Sequence, residues 1–199
     1  MTITDLQPQR LWKEFDAITR IPRPSKKEGK IIAYLQEFGK KHNLETRTDA
    51  AGNVLICKPA TKGYEDKPTV ILQSHMDMVC EKNNDTVHDF ENDPIQTYVD
   101  GEWLKAKGTT LGADNGIGMA AELAILASDD LKHPALECLF TVDEETGLTG
   151  AFAIDPNLLK GQLLINLDSE DDGQFFIGCA GGIDTTVTFP YKKEEMPEG

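Results

Sequence analysis

A histidine and a carboxylate two residues apart, His75 and Asp77, close the run Val70-Ile71-Leu72-Gln73-Ser74-His75-Met76-Asp77. In an extended segment residues i and i+2 face the same side, so the Asp77 carboxylate can reach the His75 ring. A carboxylate on one imidazole nitrogen fixes the tautomer and makes the other nitrogen a better metal ligand. Acids recur where later apolar runs end. Asp114 sits in the glycine-rich stretch Thr109 to Gly118, Glu144 and Glu145 follow Leu136 to Val142, and Asp168 follows Gln162 to Leu167. Three adjacent acids, Asp143-Glu144-Glu145, repel one another unless a cation or solvent intervenes. Imidazole with several carboxylates is a donor set for zinc and neighbouring divalent ions. Two ions about 3.5–4 Å apart are common in hydrolytic sites, and an acid left uncoordinated beside them can take a proton from the attacking water. The pattern predicts metal-assisted hydrolysis.

The elements that must position these groups are legible as periodicities. Leu11, Trp12, Phe15 and Ile18 recur at helical spacing after Pro8 and stop at Pro22-Arg23-Pro24. Ser25 with Glu28 is a capping-box pattern ahead of a helix whose apolar face is Ile31, Ile32, Leu35 and Phe38. Leu44 to Thr48 and Val54 to Lys58 read as a hairpin around Asp49 to Asn53, and Tyr98-Val99 with Trp103-Leu104 as a second around Asp100-Gly101. Thr109 to Gly118 carries three glycines and enters an Ala-rich helix over Met119 to Ala127. Its spacing matches neither GxGxxG nor GxxxxGK[ST], so phosphate binding is a weak alternative. Glycines 147 and 150 lead into a short helix near Ala151 to Ala153. Three apolar runs, at Val70, Leu136 and Leu163, read as buried strands separated by segments long enough for crossovers. That alternation predicts an α/β fold, a mixed and largely parallel sheet flanked by helices. Ligands in such sheets bind at the carboxyl ends of the strands, where these acids fall.

Composition excludes other classes. The chain has 199 residues and a formal net charge of -14, which argues against a nucleic-acid partner, because such sites need a basic footprint. No apolar run is long enough to span a bilayer, so no membrane partner is expected. Met1-Thr2-Ile3-Thr4-Asp5 lacks the basic and apolar regions of a secretory signal, and a cytoplasmic location follows as the expectation. Cys57, Cys80, Cys138 and Cys179 form no CxxC pair and read as buried or half-buried free thiols. His42, His88 and His133 read as solvated polar residues.

His75-Met76-Asp77, Gly112-Ala113-Asp114-Asn115-Gly116, Asp143-Glu144-Glu145-Thr146-Gly147 and Asn166-Leu167-Asp168-Ser169-Glu170 together resemble the four metal-site motifs of the di-zinc metallopeptidases that include carnosinases and aminoacylases. Residues Lys82 to Phe90, Lys107 to Gly118 and Gly178 to Gly182 are similar to the bacterial dipeptidase branch of that family. The resemblance implies that His75 and Asp168 are terminal ligands of one zinc, Glu145 a ligand of the other, and Asp114 a bridge held by a cis Asp114-Asn115 peptide. It implies that Asp77 orients His75 and that Glu144 is the general base, although spacing alone does not tell Glu144 from Glu145. The implied cofactors are two divalent ions, zinc first, with cobalt or manganese sharing the same ligands. The implied activity is hydrolysis of dipeptides, Xaa-His dipeptides such as carnosine among them. The alternatives are deacylation of N-acyl amino acids, which the Lys82 to Phe90 stretch disfavours, and a non-catalytic metal-binding domain.

The chain also departs from the family pattern. Family members take one more histidine ligand from far downstream, after an inserted lid domain, and here no histidine follows His133. Residues 1–182 are therefore expected to be the N-terminal portion of a catalytic domain. Residues 183–199 would open the lid, its first strand running from Ile183 to Phe189. The isolated chain is expected to be inactive or weakly active, and the homodimer that the family builds through its lid would need the remainder.

Overall fold

The computed structural model describes residues 2–169, 171, 173–183 and 185–196. It divides into a unit over Met1–Ser169 and a second over Glu170–Gly199. The first unit is built on a five-stranded sheet. Its strands are β1 (Glu45–Thr48), β2 (Val54–Lys58), β3 (Val70–His75), β6 (Leu136–Thr141) and β7 (Leu163–Asn166), in the order β1-β2-β6-β3-β7. The hairpin β1-β2 and the pairing β2-β6 are antiparallel, whereas β3 runs parallel to both β6 and β7. The sheet is mixed, and its parallel half carries the acids. The second hairpin, β4 (Thr97–Asp100) and β5 (Trp103–Ala106), forms a separate two-stranded sheet.

Alternation along the strands sorts the core into two layers. Val54, Ile56, Leu72, Cys138 and Phe140 pack on one face against Phe15 and Ile18 of α1 (Gln9–Thr19), Ile31, Leu35 and Phe38 of α2 (Gly29–Lys41), and Met119 and Leu123 of α3 (Ala113–Leu126). Leu55, Ile71 and Leu139 point the other way, onto Leu158. The short helix α4 (Thr149–Phe152) follows the acidic turn after β6.

Four expectations about the first unit and the thiols are corrected, and a fifth in the second unit. Strand β7 is not buried: Leu163, Leu164 and Ile165 are exposed, because among the described residues neither core layer covers them. The helix after Ser25 starts at Gly29 with no side-chain cap, and Ser25 and Glu28 are engaged elsewhere. Cys179 is exposed, unlike the other three thiols. Of the three histidines read as solvated, His133 is buried with Nδ1 2.8 Å from the Pro134 carbonyl oxygen. His88 lies edge-on to Phe90 at 4.5 Å with Nε2 shut off from solvent, and His42 packs its ring on Phe38 at 4.4 Å.

In the second unit the described residues form no helix or strand, and Ile183, Val187 and Phe189 are exposed. The strand expected over 183–189 is not formed among them, since a lone extended segment has no neighbour to complete its backbone hydrogen bonds. Asp184 of that run, Glu170 of the fourth motif and Pro197 lie outside the described residues.

Candidate metal centre

The parallel register brings three strand ends to one rim. His75, the last residue of β3, lies opposite Thr141 of β6, and the Met76 amide donates to the Thr141 carbonyl at 2.8 Å, so the two chains separate only beyond this point. On the other side Gln73 pairs with Asn166, and the Leu167 amide donates to the Gln73 carbonyl at 2.8 Å. Asp168 therefore emerges beside His75. After β6 the chain turns sharply through Asp143, whose φ of 49° lies in the left-handed region. That turn directs Glu144 and Glu145 back over β3. The fourth contributor comes from the start of α3, where Asp114 and Asn115 have non-helical dihedrals and are joined by a cis peptide.

His75 is the common node. Its side chain is 1% exposed, and Nδ1 sits 3.2 Å from Asp77 Oδ1 while Nε2 sits 2.8 Å from Asp114 Oδ1. Nε2 also lies 3.9 Å from Glu144 Oε2 and 3.7 Å from Asp168 Oδ1. Two ligand sets converge on the ring, His75 with Asp114 and Asp168, and His75 with Glu144 and Glu145, the ligand atoms of each set lying within 4.8 Å of one another. All six residues singled out in the sequence thus meet at one place.

The electrostatics follow from this crowding. Burial pulls the His75 pKa down, but hydrogen bonding to Asp77 and Asp114 and the charges of Asp168 and Asp77 outweigh it and raise it to about 9. Burial raises the Asp168 pKa, the His75 charge opposes that, and Asp114 reinforces it by charge and hydrogen bonding, leaving Asp168 at about 6. Glu145 is pushed up by burial and then by the Asp114 charge. Four carboxylates around one imidazole hold more negative charge than a single ring can balance. Such a donor set, all carboxylate oxygen and imidazole nitrogen, fits hard or borderline divalent cations.

Asp77 does more than face His75. Its Oδ1 accepts the Glu144 amide at 3.0 Å, and its Oδ2 accepts the Glu145 amide at 3.2 Å and the Ser25 hydroxyl at 2.7 Å. Burial raises its pKa, but the His75 hydrogen bond, the Glu144 amide and Ser25 overcome that and lower it to about 2. Asp77 stays ionised and ties the end of β3 to the acidic turn after β6. Behind it, Glu28 Oε1 accepts the Asp143 amide at 3.0 Å, and the Thr146 and Thr149 hydroxyls each donate to the Asp143 carboxylate at 2.5 Å. Glu28, Asp77 and Asp143 form a buried third group of acids. Each meets protein donors, so the group braces the rim.

Sequence reasoning missed Ser25, Glu28 and Arg23 as parts of this surround. Ser25 and Glu28 matched a local capping pattern that hid their distant partners. Arg23, between two prolines, is a cation that the structure buries fully, at 1% exposure.

The chain is 51% identical over 197 residues to the cytosol non-specific dipeptidase of Escherichia coli (strain K12), a match that covers 99% of this chain and 41% of that protein. Among solved structures, the aminoacylhistidine dipeptidase from Vibrio alginolyticus superposes with a TM-score of 0.85 at 54% identity, over 87% of this chain and 35% of that one. A tripeptidase from Staphylococcus aureus superposes with a TM-score of 0.70 at 25% identity, over 82% of this chain and 44% of that one. The chain spans about two fifths of the length of the curated relatives it matches, 41% and 43%. Residues 71–186, the stretch that holds every member of the converging donor set, match the sequence profile of Peptidase family M20/M25/M40, and the chain belongs to that family.

Proposed function

We propose that this chain builds the metal-holding part of a dipeptidase that hydrolyses Xaa-His dipeptides such as carnosine and a broader set of dipeptides. The observation that carries the reading is the convergence of two carboxylate pairs on the His75 ring, where the carboxyl ends of parallel strands meet the start of α3. His75, Asp114 and Asp168 would hold one divalent ion, zinc by preference, and Glu145 a second, with Asp114 shared between them. Divalent ions held there would supply Lewis-acid chemistry, polarising the scissile carbonyl and lowering the pKa of the attacking water. Glu144, half-buried beside the ligands, takes the proton from that water and passes it to the departing amine. Asp77 keeps the His75 ring oriented and the Glu144-Glu145 backbone in place.

Residues 1–182 belong in this reading to the catalytic domain, and 183–199 lead into a lid domain. The second ion's imidazole donor and the residues that grip the substrate come from the part of the relatives' length that this chain does not span. The E. coli relative, a cytosol enzyme by name, supports a cytosolic location, and the family resemblance supports a homodimer joined through the lid. Among the described residues no helix is long and apolar enough to cross a membrane.

Metal analysis of the full-length protein, paired with an activity panel of dipeptides against N-acyl amino acids, tests the proposal. Two divalent ions per chain with hydrolysis of dipeptides is the expected result. Consumption of N-acyl amino acids with dipeptides untouched would replace the peptidase with a deacylase, and a metal-replete protein inert to both panels would leave a binding domain.

A further inference from the structure

The segment Pro22-Arg23-Pro24-Ser25 lies far from the strand ends in sequence yet runs beside them. Pro24 forms a parallel bridge with Met78, just past the His75-Met76-Asp77 motif. The guanidinium of Arg23 is enclosed there and donates in two directions. Nη1 donates to the carbonyls of Met76 at 3.1 Å and Asp77 at 2.7 Å, and Nη2 donates to the carbonyl of Gly112. One set of acceptors belongs to the chain that leaves His75, and the other lies two residues before Asp114. The loop is shaped to receive the group. A methyl at Gly112 would sit 2.6 Å from Nη2, and one at Gly116 would sit 2.7 Å from it. Burial draws the Arg23 pKa down to about 10, while the charges of Asp77, Cys80, Asp114 and Glu145 resist, so the side chain is a cation at neutral pH.

We propose that Arg23 is a positioning residue of the metal centre, a planar spacer that fixes the separation between the His75-bearing end of β3 and the Asp114-bearing loop. The inference rests on the ligand roles given to His75 and Asp114 under the proposed function. A guanidinium suits the task because its donors lie in one rigid plane and address carbonyls on opposite sides, whereas an ammonium is a compact point charge on a flexible stem. Its three acceptors are backbone carbonyls whose places are set by chain geometry, so a shift in the spacer is transmitted to the ligands through main chain. Ser25, two residues on, reaches the Asp77 carboxylate at 2.7 Å. The same short segment thus supports both the backbone and the side chain of the histidine's partner.

The experiment compares Arg23→Lys, Gly116→Ala and His75→Ala with the wild type, all in the full-length protein. Metal affinity is read by competition with a chromophoric chelator, coordination by the visible spectrum of the cobalt-loaded protein, and turnover by kcat and KM for a dipeptide. Removing support of this kind costs about 10–100-fold in metal affinity or activity. Arg23→Lys is expected to show that loss with an altered cobalt spectrum and a fall in kcat at nearly constant KM. Gly116→Ala keeps the arginine but intrudes on it and is expected to move the same readouts in the same direction. An Arg23→Lys protein that folds, binds metal as tightly as wild type and keeps its cobalt spectrum would reduce Arg23 to core filling. Should Arg23→Lys not fold, wild-type behaviour of Gly116→Ala would overturn the proposal in the same way. Should neither fold, the wild-type protein labelled with 15N-arginine decides: guanidinium resonances of Arg23 that shift on metal addition support the role, and unmoved ones refute it. His75→Ala separates the two layers of inference, because unchanged metal binding in that variant sinks the ligand assignment rather than the role of Arg23.

Discussion

Two groups of carboxylates lie within a few residues of each other and live under opposite rules. On the rim, Asp114, Glu144, Glu145 and Asp168 are partly open to solvent and crowd round the ring of His75, while the nearby Arg23 guanidinium spends its hydrogen bonds on backbone carbonyls. Behind them, Glu28, Asp77 and Asp143 are buried, and their oxygens accept from backbone amides, from Ser25, Thr146 and Thr149, and from His75. Where donors are built in, a buried carboxylate stays charged, as the low pKa of Asp77 shows. Where they are withheld, burial and then the neighbouring carboxylates push the pKa values up, as at Asp168 and Glu145. A cation can supply what the rim lacks, and the braced group keeps the rim in place until it arrives.

The comparison breaks most visibly at Glu144. If Glu144 is the base proposed above, Glu144→Gln keeps the shape and removes that base, so dipeptide hydrolysis by the full-length protein should fall about 10²–10⁴-fold with bound metal retained. Normal turnover with the metals in place would deny the rim its catalytic member. Asp77→Asn attacks the braced side: it keeps the size but turns one of the two acceptor oxygens into a donor, which then faces the amide of Glu144 or of Glu145. Metal affinity should weaken by about 10–100-fold, and the melting temperature of the metal-free protein should drop. Asp168→Asn should give the opposite sign in that last measurement, because removing a rim carboxylate relieves repulsion in the absence of metal. If both variants shift the metal-free melting temperature in the same direction, the division between rim and brace is wrong.

Much of the rim was legible in the sequence, and little of the brace. An apolar run that stops at an acid marks a strand end in one dimension, so His75, Glu144, Glu145 and Asp168 could be found without coordinates. Asp114 stood out because its glycine-rich loop fits no phosphate motif. The brace is tertiary. Ser25 meets Asp77 across 52 residues and Glu28 meets the Asp143 amide across 115, and nothing local separates them from a helix cap. Arg23 read as a helix terminator between prolines because its acceptors are backbone carbonyls, which leave no mark in residue type. β7 failed for a related reason: an apolar run states that a strand is hydrophobic, not what covers its faces.

One buried acid follows neither rule and offers the finest test. Glu122 on α3 is fully buried beneath the sheet, and among the described residues neither of its carboxylate oxygens, nor the hydroxyl of Ser74, has a hydrogen-bond partner. Burial pushes its pKa well above the ordinary 4.5. The folded state therefore holds a proton that the unfolded chain releases once the pH passes the ordinary glutamate value. Native protein binds more protons in that window, so this group's contribution to stability declines as pH rises from there toward the folded pKa. Glu122→Met removes the titration and leaves an apolar side chain of similar length. The variant should gain on the wild type by about 1 kcal/mol, with the gap in melting temperature widening as the pH is raised from acid to neutral. A gap that is flat with pH, or that closes, would mean that Glu122 finds donors in solution and belongs with the braced acids.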